Sequence, residues 1–199
     1  IASELSKTSN YGVLWANQFD NTINTEAHVE TTAREIWDQT AGQVDAFTCA
    51  VGTGGTLAGV SIGLKKLNKA IQIALSDPMG SSLYNYIKNN KLESIGSSIT
   101  EGIGTGRITK NFEKAIIDDA FQSSDEEALK FIFQIYEDQG ILLGGSSGIN
   151  ISGAYKLAKK IGPGKNIVTI LCDNGNRYAS KLYNKEFLKK KNLPIPSWL

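Results

Sequence analysis

Cysteine, histidine, methionine and proline are all scarce in this chain of 199 residues, which holds two, one, one and four of them. Two cysteines make no disulfide framework. Cys49 and Cys172 lie in the apolar, strand-like runs DAFTCAV and NIVTILCD, so both read as buried small hydrophobes in a reducing compartment. A single histidine, His28, excludes a multi-histidine metal site, and no metal is expected; a Ser/His/Asp triad would require it to meet a suitable serine. Its plainest place is the first turn of a helix. Charge of one sign is lacking as well: 21 basic residues face 20 acidic ones for a net charge of +1, and only Arg34, Arg107 and Arg177 are arginine. The lysines then form a solvated coat, which argues against a nucleic-acid partner. No apolar run reaches the roughly 18 residues that cross a bilayer, and no cationic, apolar leader opens the chain, so the expectation is a cytoplasmic protein without a membrane partner. The chain opens at Ile1 and its only methionine is Met79, which reads as a piece of something longer.

What is present is an ordinary globular composition, 41% hydrophobic and 21% charged, enough to bury a real core in one or two units. Helical and strand signals alternate, the pattern of a parallel sheet covered by helices. Val29, Ala33, Ile36 and Trp37 share one face of a helix that stops near Gly42, and residues 44–51 follow as a short apolar strand. Leu57, Val60, Leu64 and Leu67 make the next helical stripe, and residues 70–75 the next strand, ending in Ser76, Asp77 and Pro78. Farther on, Ser124 and Glu127 form a capping box ahead of Ala128, Phe131, Ile132 and Ile135, with Gly140 placed to end that helix. ILLGG at 141–145 reads as a buried strand. Ile151, Ala154, Tyr155 and Ala158 then give a helix halted at Gly162 and Pro163, before the very apolar strand of residues 166–172. Last comes EFLKKKNLPIPSWL, a solvated helical turn and a tail pinned to the body by Trp198. The fold class is therefore α/β, an open, doubly wound parallel sheet with helices on both faces.

The first strand-to-helix junction carries chemistry. GTGGTLAG, residues 52–59, exposes backbone where the first amides of a helix lack partners and point along the positive end of the helix dipole. Gly52, Gly54 and Gly55 let a phosphate approach, and Thr53 and Thr56 add hydroxyls. Such turns also occur simply to pack a helix tightly on a sheet. A P-loop is excluded, because no Gly-Lys-Ser/Thr follows. A dinucleotide stays open: Gly52 and Gly54 imitate the start of G-x-G-x-x-G, position 57 is leucine where the third glycine belongs, and Asp77 closes the next strand where a ribose-binding acid would sit. The other ligand is a small cofactor with one phosphate monoester. Three further strand ends carry small polar residues: SSITEGIGTG (97–106), GGSSG (144–148) and DNGNR (173–177). In an open α/β sheet such loops converge on one crevice at the carboxyl ends of the strands.

In order, GTGGTLAG, EGIG, GGSSG and a strand ending in D-x-G-x-R-Y, with NQFDN (17–21) and TTAREIW (31–37) ahead of them, resemble the cysteine synthase branch of the fold-type II pyridoxal-phosphate enzymes, in the cysteine synthase and cystathionine β-synthase family. The likeness covers nearly the whole chain. It implies a fold like that of tryptophan synthase β and pyridoxal 5'-phosphate as cofactor, with Gly52, Thr53, Gly54, Gly55 and Thr56 holding its phosphate and Ser146 meeting the pyridine nitrogen. A serine there leaves the ring a mild electron sink, adequate for eliminating a β-substituent. By the same resemblance Gly102, Ile103, Gly104 and Gln18 lie near the substrate, and Asp173 and Asn174 mark a strand end near the ring nitrogen.

The activity so implied is replacement of the acetoxy group of O-acetylserine by sulfide, giving cysteine and acetate. A homodimer and serine acetyltransferase are the implied partners. The family's Schiff-base lysine and its Asn-containing substrate loop have no counterpart here, and Lys7 and Lys110 read as solvated loop lysines. No catalytic residue is therefore assigned: the expectation is a fragment, inactive alone, with residues 1–20 ending a missing N-terminal domain and 21–199 forming the phosphate-binding domain. Reaction on serine or homocysteine, as in cystathionine β-synthase, a nicotinamide-dependent oxidoreductase and a catalytically silent binding paralogue are the alternatives.

Overall fold

Strand-forming runs of three to seven residues, separated by stretches long enough for a crossover helix, meet the requirement for parallel pairing. The computed structural model, which describes residues 1–199, shows this. β1 (Ala46–Cys49), β2 (Gln72–Pro78), β3 (Asp119–Ser123) and β4 (Ile167–Thr169) form one parallel sheet in the order β3-β2-β1-β4. The helices are α1 (Ala2–Thr8), α2 (Ile23–Glu30), α3 (Thr32–Gln39), α4 (Gly55–Leu67), α5 (Leu83–Asn89), α6 (Asp125–Gln139), α7 (Gly145–Ile161) and α8 (Lys185–Lys190).

Strand alternation sorts the two faces by size. Phe47, Cys49, Ile73 and Leu75 join Leu57, Val60 and Leu64 of α4 in the largest core. Their neighbours Ala46 and Ala74 meet Leu157 of α7 on the opposite face. On that side Thr48 and Ser76 pair their hydroxyls at 2.7 Å, and Ser123 donates to Ser152 at 2.8 Å, so these four buried hydroxyls find partners. The expected open, doubly wound sheet with helices on both faces is what the chain forms.

Local signals explain most boundaries. Ser124 and Glu127 make both bonds of the capping box, and Gly140 closes α6 in the left-handed conformation. Trp198 packs edge-on to Phe133 at 5.7 Å and against Tyr136 at 4.7 Å, pinning the tail as expected. Four expectations are corrected. The helix drawn through 29–37 is two helices, because the Thr31 hydroxyl bonds back to the Ala27 carbonyl at 2.8 Å and the chain bends there. His28 consequently sits in the last turn of α2, not in a first turn. ILLGG is no strand: the Tyr183 hydroxyl accepts from the Leu143 amide at 3.1 Å and donates to the Leu143 carbonyl at 2.6 Å, occupying groups a neighbouring strand would need. Only an isolated bridge from Leu143 to Asn174 remains. Finally, β4 ends at Thr169, because side chains of α7 take the next backbone groups; Ser147 accepts from the Cys172 amide at 2.9 Å, and Cys172 is exposed. Cys49 is buried as expected.

Candidate cofactor site

The β1–α4 turn is braced by residues far away in sequence. Gly54 has φ +91°, and a Cβ there would lie 2.7 Å from the amide nitrogen of Phe112, so this corner admits only glycine. At Gly52 a Cβ would overlap the Gly102 carbonyl, and at Gly55 the side-chain amide of Asn24. Asn24 donates to Thr53 Oγ1 at 3.0 Å and to the Gln18 carbonyl at 2.9 Å. Thr109 donates to the Thr53 carbonyl at 2.7 Å. Asn111, fully buried, accepts from Thr25 at 2.7 Å and donates to the Gln18 and Phe19 carbonyls at 3.0 and 2.7 Å. Two segments, 17–25 and 109–112, thus clamp the turn from outside.

α4 starts without a side-chain cap. The amides of Thr53, Gly54, Thr56 and Leu57 have no protein acceptor, which leaves four donors around the positive end of a 13-residue helix. Thr53 Oγ1 already accepts from Asn24 and, at 3.3 Å, from the Gly55 amide, so its own proton is free to be donated elsewhere. Amides and a hydroxyl that can only donate suit a group that can only accept. The residues present therefore fit a phosphate monoester.

Over this turn lies the 97–106 loop, fixed by the bond from the Gly104 amide to the Val51 carbonyl at 2.9 Å. Between them is an open cavity of about 580 Å³, lined by Phe19, Gly52 and residues 102–107. Of the residues expected near substrate, Gly102, Ile103 and Gly104 line it; Gln18 does not, although its carbonyl is fixed beside it by Asn24 and Asn111. Arg107 reaches from the rim to Asp20, both nitrogens at 3.3 Å from the carboxylate oxygens, and lies 5.5 Å from the Phe19 ring centre. That guanidinium, together with the Lys110 amide, lowers the Asp20 pKa.

The remaining strand ends meet the same edge. Gly145 backs onto Thr100, and a Cβ on Gly144 would overlap the Asp173 carboxylate. Ser146, buried in the first turn of α7, donates toward Asp173 Oδ1 at 3.5 Å, while Tyr178 donates to Asp173 Oδ2 at 2.8 Å. Burial and that carboxylate push the Tyr178 phenol up to about 12. Asn174 turns away, its Oδ1 capping the Asn176 amide at 2.8 Å. Asn150, one turn beyond Ser146, accepts from the Ala50 amide at 2.6 Å and donates to the Ile170 carbonyl at 2.8 Å, tying α7 to the ends of β1 and β4. The four loops chosen from sequence therefore meet along one edge of the sheet.

Asp77 does not serve as a ribose acid. It is fully buried, Oδ2 accepts from the Tyr84 amide at 2.8 Å, and burial raises its pKa to about 6. This removes the second anchor of a dinucleotide. Sequence reasoning missed Asn24, Thr109 and Asn111; the one usable signal was that each is a small polar residue close to an already suspected loop.

The chain is similar to known proteins. A cysteine synthase 1 of Emericella nidulans is 46% identical over 185 residues, covering 90% of this chain and 50% of its own length. A cysteine synthase of Dictyostelium discoideum is 46% identical over 191 residues, covering 91% of this chain and 50% of its own length. The chain thus spans about half the length of the curated relatives it matches. Among solved structures, the O-acetylserine dependent cystathionine beta-synthase of Helicobacter pylori superposes with a TM-score of 0.79 at 33% identity, over 90% of this chain and 56% of that one. The description pyridoxal-phosphate dependent enzyme matches residues 1–173, and with so much of the sequence matched the chain belongs to that family of enzymes.

Proposed function

We propose that this chain is the phosphate-holding part of a cysteine synthase, which replaces the acetoxy group of O-acetylserine by sulfide. The observation that carries the reading is the β1–α4 turn, with four unpartnered amides and a donor-only threonine at a helix N-terminus, beneath a cavity roofed by residues 102–107. The cysteine synthases at 46% identity support the choice of reaction.

When bound, pyridoxal phosphate supplies the electron sink for elimination and addition at the substrate β-carbon. In this assignment Gly52, Thr53, Gly54, Gly55 and Thr56 hold the phosphate, and Ser146 offers its hydroxyl to the pyridine nitrogen. The 102–104 segment covers the substrate and excludes water, and Gln18 flanks it. No residue lining the cavity is a lysine, so the base for the substrate α-proton is not among them, and these 199 residues alone are assigned phosphate binding without turnover. Residues 1–20 are assigned to the end of a separate N-terminal domain and 21–199 to the phosphate-binding domain. In support, α1 buries nothing, and Tyr11 and Leu14 stand 86% and 94% exposed. Homodimerisation, a cytoplasmic location and association with serine acetyltransferase complete the proposal; no helix is long and apolar enough to cross a membrane.

The test is cysteine formation from O-acetylserine and sulfide by the natural gene product, with cofactor binding followed separately by phosphorus NMR. Cysteine formation supports the proposal. Cystathionine made from serine and homocysteine, without cysteine synthesis, supports the second reading that the Helicobacter neighbour favours. Binding of NAD with no response to pyridoxal phosphate overturns both.

A further inference from the structure

The chain's single histidine stands directly behind the phosphate turn and is held at both ring nitrogens. His28 Nε2 lies 3.2 Å from Oγ1 of Thr56, in the first turn of α4. Its Nδ1 lies 2.9 Å from Oγ1 of Thr32, the first residue of α3. The position is built with care: α4 approaches so closely that a methyl on Gly59 would overlap the His28 Cβ. Burial lowers the histidine's pKa, which favours the neutral ring.

A neutral imidazole has one donor and one acceptor, so two hydrogen-bond patterns are available. In one, Nδ1–H donates to Thr32 and Nε2 accepts from Thr56, which consumes the Thr56 hydroxyl proton. In the other, the Thr32 hydroxyl donates to Nδ1 and Nε2–H donates to Thr56 Oγ1, which leaves the Thr56 proton free. A phosphate group that only accepts is served by the second pattern alone. We propose that His28 is a positioning residue whose Nε2–H tautomer is selected by phosphate in the turn, so that the relay Thr32 to His28 to Thr56 presents the Thr56 hydroxyl proton to the ligand. The inference rests on the reading of Thr56 as a phosphate contact. Thr53 arrives at the same donor-only state by a different route, through Asn24 and the Gly55 amide.

The experiment is nitrogen–proton correlation NMR on the full chain with ¹⁵N-labelled histidine at pH 7, with and without pyridoxal phosphate, using His28→Gln to assign the resonance. The expected result is a mixture of tautomers in the free protein and a single form on loading, pyrrole-like at Nε2 and pyridine-like at Nδ1. Thr32→Val, which touches no ligand, should weaken cofactor binding about 5-fold, the scale of one hydrogen bond. A loaded protein with Nδ1–H, or with the same mixture as the free protein, overturns the inference even if the cofactor binds. Failure of the underlying reading looks different: Thr56→Val then binds pyridoxal phosphate as tightly as wild type, with the bound phosphorus resonance unmoved.

Discussion

Two glycine-rich junctions open helices at the same edge of the sheet, GTGGT before α4 and GGSSG before α7, and they use glycine for different ends. At α4 the glycines lie against Gly102, Phe112 and Asn24 and also border a hollow: the corner at Gly54 is left-handed, the amides of Thr53, Gly54, Thr56 and Leu57 are unpartnered, and Gly52 lines the cavity. At α7 they close a gap: Gly144, Gly145 and Gly148 lie against Asp173, Thr100 and the Ala128 backbone, with no room left between. Glycine content alone marks close approach. Both helices start with amides that have no protein acceptor; what sets the α4 turn apart is the left-handed corner at Gly54 and the cavity that Gly52 lines.

Substitutions sharpen this contrast. Gly148→Ala drives a methyl toward the Ala128 carbonyl, 2.6 Å from where its Cβ would stand, and should cost about 3 kcal/mol in urea unfolding, leaving the folded fraction's affinity for pyridoxal phosphate unchanged. A third strand end, Asp77, carries polarity yet has no ligand to meet. Its pKa rises in the folded state from 3.8 to about 6 through burial. The stability associated with its protonated form is therefore fully present below about pH 4 and is lost as pH rises through 6, a decline of about 2 kcal/mol after discounting remaining solvation. Asp77→Asn keeps an acceptor for the Tyr84 amide and should flatten that decline in unfolding midpoints measured from pH 4 to 8.

Gly54→Ala acts on the binding turn, where the left-handed corner strains any side chain. With its Cβ also 2.7 Å from the Phe112 amide nitrogen, it should cost at least about 3 kcal/mol and, unlike Gly148→Ala, also weaken cofactor binding by at least about 10-fold, read by titration of the phosphorus signal. If both glycine variants lose affinity equally, the contrast between the junctions fails. Ser124→Ala gives the smallest effect: α6 is capped by its own side chain, so the loss should be about 1 kcal/mol whether or not cofactor is present, seen as equal shifts of the unfolding midpoint.

Much of this was legible in sequence because it is local. The GTGG turn follows an apolar run and precedes a helical stripe, and the Ser124 capping box spans three residues; patterns of that range are written in the chain. Asn24, Thr109 and Asn111 were not legible, since they reach the turn across 29, 56 and 93 residues in their bonds to Thr53 and Gln18, and nothing near them in sequence marks the partner. ILLGG misled for the same reason. Its apolar run is real, but a tyrosine 40 residues later takes the backbone groups that pairing would require. Cys172 was misplaced because hydrophobicity gave the strand's composition and not its end, which α7 side chains determine.

Asn150 ties three elements with one side chain, and this gives the site a clock. The Ala50 amide proton is held by that side chain at the end of β1, one helical turn along α7 from Ser146. It can exchange with solvent deuterium only when α7 lifts from the sheet. The exchange rate of that single proton therefore times how often the cleft comes apart, and ligand bound across the two junctions should slow it.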